Sequence, residues 1–299
     1  MGGLIFTDLD GTLCHYEAAD IGDSDCVRFP PSSTGLCGAM SRRTLRQLAA
    51  LREQGHALVL LSGMRHSTFL ERLPFLPVAE AYAVENGGRL FWLRPGCADA
   101  PLTAASLDED AAWRRTHDSA AGPAEGAAFP PAERSGDLWT AYRSLLASGV
   151  RCDVRGYSTL IRLPAQPATA TLDSFLADLP STLSTCCNLG CADIFPASSS
   201  KQAVAAHVAR RALGIESLDD ARVVFMCDDD NDVDMALLVA HTFVVGVNCE
   251  RLRAAIAGAP HRFTVATLRG VPASEQSLES VAAYLAGLPV GNGLPPTTT

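Results

Sequence analysis

Short runs of apolar residues recur along the chain, separated by longer stretches with apolar residues three or four positions apart. The runs are rich in Val, Ile and Leu, which is typical of parallel strands buried on both faces. They span residues 4–7, 57–61, 81–84, 223–226 and 242–245. The alternation of these strands with amphipathic helices predicts an α/β fold with a doubly wound, Rossmann-like parallel sheet.

Residues 41–54 are an example of the helical pattern. Ser41 can cap the amino terminus of this helix, because a serine side chain accepts a hydrogen bond from a main-chain amide of the first turn. Leu45, Leu48 and Leu51 then fall on one side of the helix. We expect that side to pack on the sheet.

The alternation breaks in the middle of the chain, where loops of Pro, Gly and Ala separate strands of a different character. Two hairpins are predicted there, turning near Gly156 and Gly190, with a helix between them. This pattern indicates a smaller α+β domain inserted into the α/β core. The predicted division is a discontinuous core of residues 1–88 and 197–290, an inserted domain of residues 89–196, and a disordered tail of residues 291–299.

Composition narrows the possible partners and location. The formal net charge of −9 argues against nucleic acid, whose phosphate backbone requires a basic surface. The chain starts with a strand pattern rather than a secretion signal, and no apolar stretch is long enough to span a bilayer. We therefore expect a cytoplasmic monomer or homodimer that acts without a membrane. The ten cysteines are scattered without the spacing of a zinc site.

The first strand runs directly into two aspartates, Asp8 and Asp10, followed by Gly11. Sites in open α/β sheets lie beyond the carboxyl ends of the strands. Residues two apart on an extended chain share a side, so both carboxylates can converge on one ligand. An acidic helix cap after a strand is the alternative, but it accounts for only one of the two aspartates.

Two further segments place polar groups at comparable positions. The strand of residues 57–61 ends in Ser62 and Gly63, although Ser62 can equally be the cap of the next helix. Lys201 opens a later helix, and a cation is electrostatically unfavourable at a helix amino terminus. That placement is explained if an anion binds there. A solvated surface lysine is the other interpretation.

The strand of residues 223–226 is followed by a run of four aspartates and an asparagine, which includes Asp228, Asn231 and Asp232. Crowded carboxylates repel one another, and a divalent cation relieves the repulsion. Hard oxygen ligands favour Mg²⁺ over zinc or copper. The alternative is a solvated acidic loop that caps the next helix.

These four segments, in this order, resemble the four motifs of the haloacid dehalogenase superfamily. The resemblance covers the predicted core on both sides of the insertion, and the position of the insertion is similar to that of a C2-type cap. Within that superfamily, an aspartate at position 10 implies a phosphatase or a phosphomutase. The loop of residues 14–40 is unusually long for the family.

The resemblance also implies catalytic roles. Asp8 would be the nucleophile that forms an aspartyl phosphate, and Asp10 would protonate the leaving oxygen and then activate water. Ser62, with the amides near Gly63, would hold phosphoryl oxygens. Lys201 would supply positive charge as the two anions approach each other.

The family pattern implies a magnesium site as well. It places Mg²⁺ between the carboxylate of Asp8, the backbone carbonyl of Asp10 and the carboxylate of Asp228. Asn231 and Asp232 would support the ion. The expected enzyme is therefore a Mg²⁺-dependent phosphoric monoester hydrolase.

Two segments resemble sugar-phosphate enzymes. The Glu-Asn-Gly sequence that contains Asn86 and Gly87 is similar to that of mannosyl-3-phosphoglycerate phosphatases and Cof-type enzymes. The segment before Lys201 is similar to that of sucrose-phosphate phosphatases. We expect Asn86, Gly87, Gly63 and Arg65 to contact a small phosphorylated sugar, and the alternative for Arg65 is a solvated surface charge.

Two other functions are compatible with these motifs. A phosphomutase uses the same aspartyl phosphate but returns the phosphate to a second hydroxyl. A noncatalytic sugar-phosphate-binding protein on the same scaffold would need none of the catalytic carboxylates, and all of them are present.

Overall fold

The computed structural model describes residues 2–288 except 23, 33–34, 99–100, 167–169 and 189. The predicted disordered tail therefore lies outside the described residues. The strands are β1 Leu4–Asp8, β2 Cys26–Arg28, β3 Ala39–Ser41, β4 Ala57–Leu61, β5 Ala81–Val84, β6 Arg89–Leu93, β7 Leu107–Glu109, β8 Ile161–Leu163, β9 Leu183–Asn188, β10 Cys191–Pro196, β11 Val223–Cys227, β12 His241–Val244 and β13 Phe263–Val265. The helices are α1 Ala18–Ile21, α2 Arg42–Glu53, α3 His66–Arg72, α4 Ala111–Arg115, α5 Asp118–Ala121, α6 Asp137–Ala147, α7 Ala170–Ala177, α8 Lys201–Leu213, α9 Val233–Ala236, α10 Glu250–Gly258 and α11 Gly270–Ala286.

The main sheet has the strand order β13-β12-β11-β1-β4-β5-β6-β7. The strands from β13 to β5 are parallel, and β6 and β7 extend the sheet with antiparallel pairing. Strand β1 lies between β4 and β11, and all five of its residues are buried. The buried apolar runs seen in the sequence are therefore the strands of this sheet, because both of its faces are covered.

Helices cover the two faces of the main sheet. On one face, side chains of β1 and β4 such as Ile5 and Leu58 pack with α2 and α11. On the other face, Leu4 and Phe6 pack with α8, α9 and α10. The helix α2 begins as predicted, since the Oγ of Ser41 accepts a hydrogen bond from the amide of Thr44 at 2.9 Å.

The inserted domain is built on a second sheet with the order β8-β10-β9, in which both pairs are antiparallel. Its own apolar cluster joins α5 and α6 to this sheet through residues such as Leu138, Trp139 and Ile194. The hairpin of β9 and β10 turns at the predicted place. Around Gly156 the predicted hairpin is reduced to a single antiparallel bridge, between Asp153 and Arg162 of β8.

The boundary of the insertion differs from the prediction of residues 89–196. Strand β6, which starts at Arg89, pairs with β5 in the main sheet, and β7 pairs with β6. Trp113 in α4 also packs in the apolar cluster of the main sheet. The sequence pattern does not encode which sheet a strand joins, because the pairing partner is chosen by tertiary contacts. The main sheet therefore continues past residue 88.

Among the described residues, no helix combines the length and the apolar composition needed to cross a lipid bilayer.

Candidate active site

The polar segments singled out in the sequence meet at one edge of the main sheet. Asp8 is the last residue of β1, Ser62 follows β4, and Asp228 follows β11. Because β1 is paired in parallel with both β4 and β11, the carboxyl ends of the three strands lie side by side. The topology thus brings together side chains that are up to 220 positions apart in the chain.

Lys201 is the only lysine among the 299 residues, and it is buried in this group of acids. Its Nζ lies 2.7 Å from an oxygen of Asp8 and 2.5 Å from an oxygen of Asp232. Burial alone would lower the pKa of Lys201, but Asp232 and Asp8 raise it above its ordinary value. The helix α8 is capped instead by Ser200, whose Oγ accepts from the amide of Ala203. Lys201 is therefore an ion-pair partner of the buried acids and not a solvated surface lysine.

Three buried carboxylates crowd around this single ammonium. Asp8, Asp228 and Asp232 each place a carboxylate oxygen within 4.8 Å of those of the other two. Burial, followed by repulsion from Asp232, raises the pKa of Asp228 to about 8. Burial also raises the pKa of Asp8 well above its ordinary value, although Lys201 opposes this shift. One ammonium cannot balance three ionised carboxylates, so full ionisation of all three would leave an excess of negative charge in the site.

This donor set fits a hard divalent cation. Three carboxylates supply the oxygen ligands that Mg²⁺ prefers. In addition, the buried side-chain oxygen of Asn231 has no hydrogen-bond partner among the described residues. The residues that fit the ion are thus Asp8, Asp228, Asp232 and, next to them, Asn231.

Asp228 is held in place by two residues that the sequence did not reveal. The hydroxyl of Thr12 donates to Oδ1 of Asp228 at 2.6 Å, and the side-chain amide of Asn248 donates to Oδ2 at 2.8 Å. A Cβ on Gly11 would lie 2.2 Å from Oδ2, and this glycine has a φ of +89°. Position 11, in the turn after β1, therefore requires glycine. In the sequence, the only sign that Asn248 belongs to the site was its position after β12, because sites lie beyond the carboxyl ends of parallel strands.

The side chain of Asp10 has different neighbours from the carboxylate cluster. The hydroxyl of Ser62 donates to Oδ2 of Asp10 at 3.2 Å, and Oδ1 accepts from the phenol of Tyr16. Ser62 is not the cap of the next helix, because α3 begins at His66 and has Arg65 at its cap position. Instead, the Oγ of Ser62 also accepts from the amide of Met64 at 3.1 Å, while Gly63 is buried in the same turn.

Arg65 and Asn86 both contact the inserted domain. The guanidinium of Arg65 donates to a carboxylate oxygen of Asp153 at 3.1 Å and to the carbonyl of Arg155 at 3.0 Å. The side-chain amide of Asn86 donates to a carboxylate oxygen of Asp193 at 3.1 Å. Both residues, which the sequence suggested as sugar contacts, thus link the core to the inserted domain.

Glu85 and Gly87 flank Asn86 and strengthen the same junction. One carboxylate oxygen of the fully buried Glu85 accepts from the amide and the hydroxyl of Thr159, both at 2.7 Å, and from the amide of Ser158 at 2.9 Å. Gly87 has a φ of +90°, and a Cβ there would lie 2.6 Å from the carbonyl oxygen of Ser200. Gly87 therefore lets this turn pack against the residue that precedes Lys201.

A cavity of about 330 Å³ opens beside Lys201, between the inserted domain and the main sheet. Strand β9 lines one side with Thr185 and Cys186, and the loop after β11 lines the other side with Asp230. Asn86 and Arg251 also reach the cavity wall. The cavity is large enough for a small metabolite and is lined mostly by polar atoms, which suits a hydroxylated ligand.

No family model matches the sequence, and no curated protein matches it. Solved structures do match its fold. A sucrose-phosphatase from Synechocystis sp. PCC6803, solved in complex with sucrose and phosphate, aligns with a TM-score of 0.63 at 14% identity over 95% of this chain and 98% of that one. A phosphatase of the haloalkanoate superfamily from Bacteroides thetaiotaomicron aligns with a TM-score of 0.60 at 13% identity over 95% of both chains.

A sugar phosphatase of HAD subclass IIB aligns with a TM-score of 0.58 at 14% identity, over 94% of this chain and 98% of that one. At such low identities the likeness concerns the fold. The predicted fold class, a doubly wound α/β core with a smaller inserted α+β domain, is therefore confirmed.

Proposed function

We propose that this protein is a Mg²⁺-dependent phosphatase, which hydrolyses a phosphate monoester of a small sugar through an aspartyl phosphate on Asp8. The observation that carries the proposal is the burial of Asp8 against the only lysine of the chain and beside two further aspartates, where that lysine also lines a polar cavity. An isolated acidic loop exposed to solvent would need neither the buried ammonium nor the cavity.

The slow uncatalysed reaction explains why a nucleophile is needed. Hydrolysis of phosphate monoesters calls for rate enhancements of up to about 10²¹. In the first step, an oxygen of Asp8 attacks phosphorus and forms an acyl phosphate as the bond to the sugar oxygen breaks. Asp10 gives its proton to that departing oxygen, so an alcohol leaves. In the second step, water attacks phosphorus, Asp10 takes a proton from it, and Asp8 and inorganic phosphate are released.

Two anions have to approach each other in this reaction, so the site has to supply positive charge. Lys201 is held by Asp8 and Asp232, where its ammonium can also bind a phosphoryl oxygen. Asp8, the carbonyl of Asp10 and Asp228 would hold Mg²⁺, which would neutralise charge on the phosphoryl oxygens when bound. Ser62 and the amide after it would orient the phosphoryl group.

A sugar phosphate is the substrate class that the surroundings support best. The cavity beside Lys201 is polar, and two of the similar structures carry a sugar in their names, a sucrose-phosphatase and a sugar phosphatase. We further propose that residues 116–196 act as the cap. The apolar cluster of the inserted domain begins after α4, and the cap would exclude water from the cavity when a sugar is bound.

Phosphate release tests the proposal. The esters to compare are sucrose 6-phosphate, mannosyl-3-phosphoglycerate, hexose phosphates and p-nitrophenyl phosphate, each with Mg²⁺ and with a chelator. We expect turnover only with the metal, and none for the Asp8→Asn variant. Asp173→Asn, on the exposed side of α7, is the matched control and should keep full activity.

Two outcomes of this test would contradict the proposal. Turnover of a sugar monophosphate only when a sugar bisphosphate is added would indicate a phosphomutase. A folded protein that releases phosphate from none of these esters would indicate a noncatalytic binding protein.

A further inference from the structure

Asp10 is held by two residues outside the four motifs. We propose that Tyr16 and Arg72 are positioning residues, which fix one oxygen of the Asp10 carboxyl so that the other faces the departing oxygen of the substrate. This inference rests on the proposed function and deepens it, because it identifies what orients the general acid.

The two oxygens of Asp10 have separate partners. Oδ1 accepts a hydrogen bond from the phenol of Tyr16 and lies 3.4 Å from a guanidinium nitrogen of Arg72. Oδ2 is the oxygen that faces Ser62, with the two oxygen atoms 3.2 Å apart. Ser62 lies on the side where the phosphoryl group would bind. The carboxyl is therefore anchored at Oδ1, and Oδ2 is directed toward the reacting atoms.

Arg72 is itself immobilised. It is the last residue of α3 and only 2% exposed, and a cation is favourable at a helix carboxyl end. One of its nitrogens also donates to the phenolic oxygen of Tyr16 at 2.9 Å, and another donates to the carbonyl of Leu36 at 3.2 Å. The guanidinium carbon lies 5.7 Å from the ring centre of Tyr16 and 5.8 Å from that of Phe29. A cation with this many fixed partners can hold a phenol in one orientation.

The long loop of residues 14–40 brings Tyr16 to this place. His15 and Ala39 exchange two main-chain hydrogen bonds, of 2.9 and 2.8 Å, which close the base of the loop next to Tyr16. A Cβ on Gly38 would lie 2.2 Å from the sulfur of Cys14 and 3.0 Å from the ring of Tyr16. Gly38 thus leaves the space that the tyrosine ring occupies. This loop, which is long compared with the family that the sequence resembles, therefore places the side chain of Tyr16 in the site.

A positioning role makes a specific chemical prediction. The departing oxygen needs a proton from Asp10 only when it is a poor leaving group. A correctly positioned general acid accelerates a reaction about 10²–10⁴-fold, and a misplacement of 1 Å can lower the rate about 100-fold. Loss of Tyr16 should therefore slow esters of weakly acidic alcohols far more than esters of acidic phenols.

The experiment compares Tyr16→Phe with the parent protein on phenyl phosphate and p-nitrophenyl phosphate, which have similar shapes and differ in leaving-group acidity. We expect kcat/KM, which reports the steps up to formation of the phosphoenzyme, to fall about 10- to 100-fold for phenyl phosphate and less than about threefold for p-nitrophenyl phosphate. Arg72→Met should show the same pattern, since it releases the phenol that contacts Asp10. Thermal unfolding verifies that each variant is folded.

Tyr82→Phe is the matched control. Its buried hydroxyl donates to the carbonyl of Pro77 and accepts from the amide of Ala79, away from Asp10, so both esters should be affected equally. Equal losses for Tyr16→Phe on the two esters would overturn the positioning role and leave the phosphatase function intact. A parent protein inert toward both esters would overturn the proposed function and this inference with it.

Discussion

Replacement of Lys201 by methionine removes the only ammonium from the buried carboxylate cluster and keeps a side chain of similar length. The side chain of Lys201 is 2% exposed, and those of Asp8 and Asp232 are 7% and 0% exposed. Solvent therefore cannot take over the role of the ammonium. The variant leaves carboxylates buried beside an apolar side chain.

The size of the effect follows from these distances. At an effective dielectric constant of about 20, a pair of opposite charges 2.7 Å apart attracts by about 6 kcal/mol, most of which is offset by the desolvation of both groups. Removal of one partner of a buried ion pair typically costs about 3–5 kcal/mol. We expect Lys201→Met to lower the free energy of unfolding by that amount in buffer with a chelator.

Urea unfolding measures this change, and a double-mutant cycle with Asp8→Asn isolates the pair. The cost of Lys201→Met should be smaller by about 1–3 kcal/mol when Asp8 is already neutral. Arg42→Met, which breaks an exposed pair with Asp25, is the control and should cost at most about 1 kcal/mol. A loss below about 1 kcal/mol for Lys201→Met, without coupling to Asp8, would show that the buried ion pair does not stabilise the fold.

Three further predictions concern the metal, the glycine turn and the response to pH. Asp228→Asn should weaken Mg²⁺ binding about 10-fold or more in titration calorimetry, and unchanged affinity would place the ion elsewhere. Gly11→Ala should lower the free energy of unfolding in urea by about 3 kcal/mol, because the added Cβ would clash with Asp228. The control Gly149→Ala, at a φ of +73° but with open space around it, should lower it by about 1 kcal/mol. Equal losses would contradict the clash. Burial, then the charge of Arg114, lowers the pKa of His117 to about 4, so the folded state binds fewer protons than the unfolded state below about pH 6.5. Relative to His117→Gln, the parent protein should therefore lose about 2 kcal/mol of its free energy of unfolding between pH 7 and pH 5, and parallel curves for the two proteins would contradict this.

The buried strands and their polar ends were predictable from the sequence. Strands covered on both faces have to be apolar throughout, so β1, β4, β5, β11 and β12 were recognisable within a residue or two of their bounds. The location of Asp8 and Asp228 at the same edge of the sheet then followed from parallel pairing.

Long-range partnerships were not predictable in the same way. Strand β6 carries a mixed pattern that suits either sheet, and only its pairing with β5 assigns it to the core. Tyr16 and Arg72 are 56 positions apart, and their contact depends on the path of a loop. Arg65 was suggested as a sugar contact from its position after Ser62. In the structure it forms an ion pair with Asp153, which is distant in the sequence and could not be identified from it.

Borohydride trapping is the sharpest test of whether Asp8 becomes transiently phosphorylated. The protein is mixed with an ester that it hydrolyses, and the reaction is quenched during steady state. Borohydride then reduces any acyl phosphate to the alcohol, and the peptides are analysed by mass spectrometry. We expect conversion of Asp8 to homoserine, which should depend on substrate and be absent in Asp8→Asn. Turnover with an unmodified Asp8, or with the label on another residue, would contradict it.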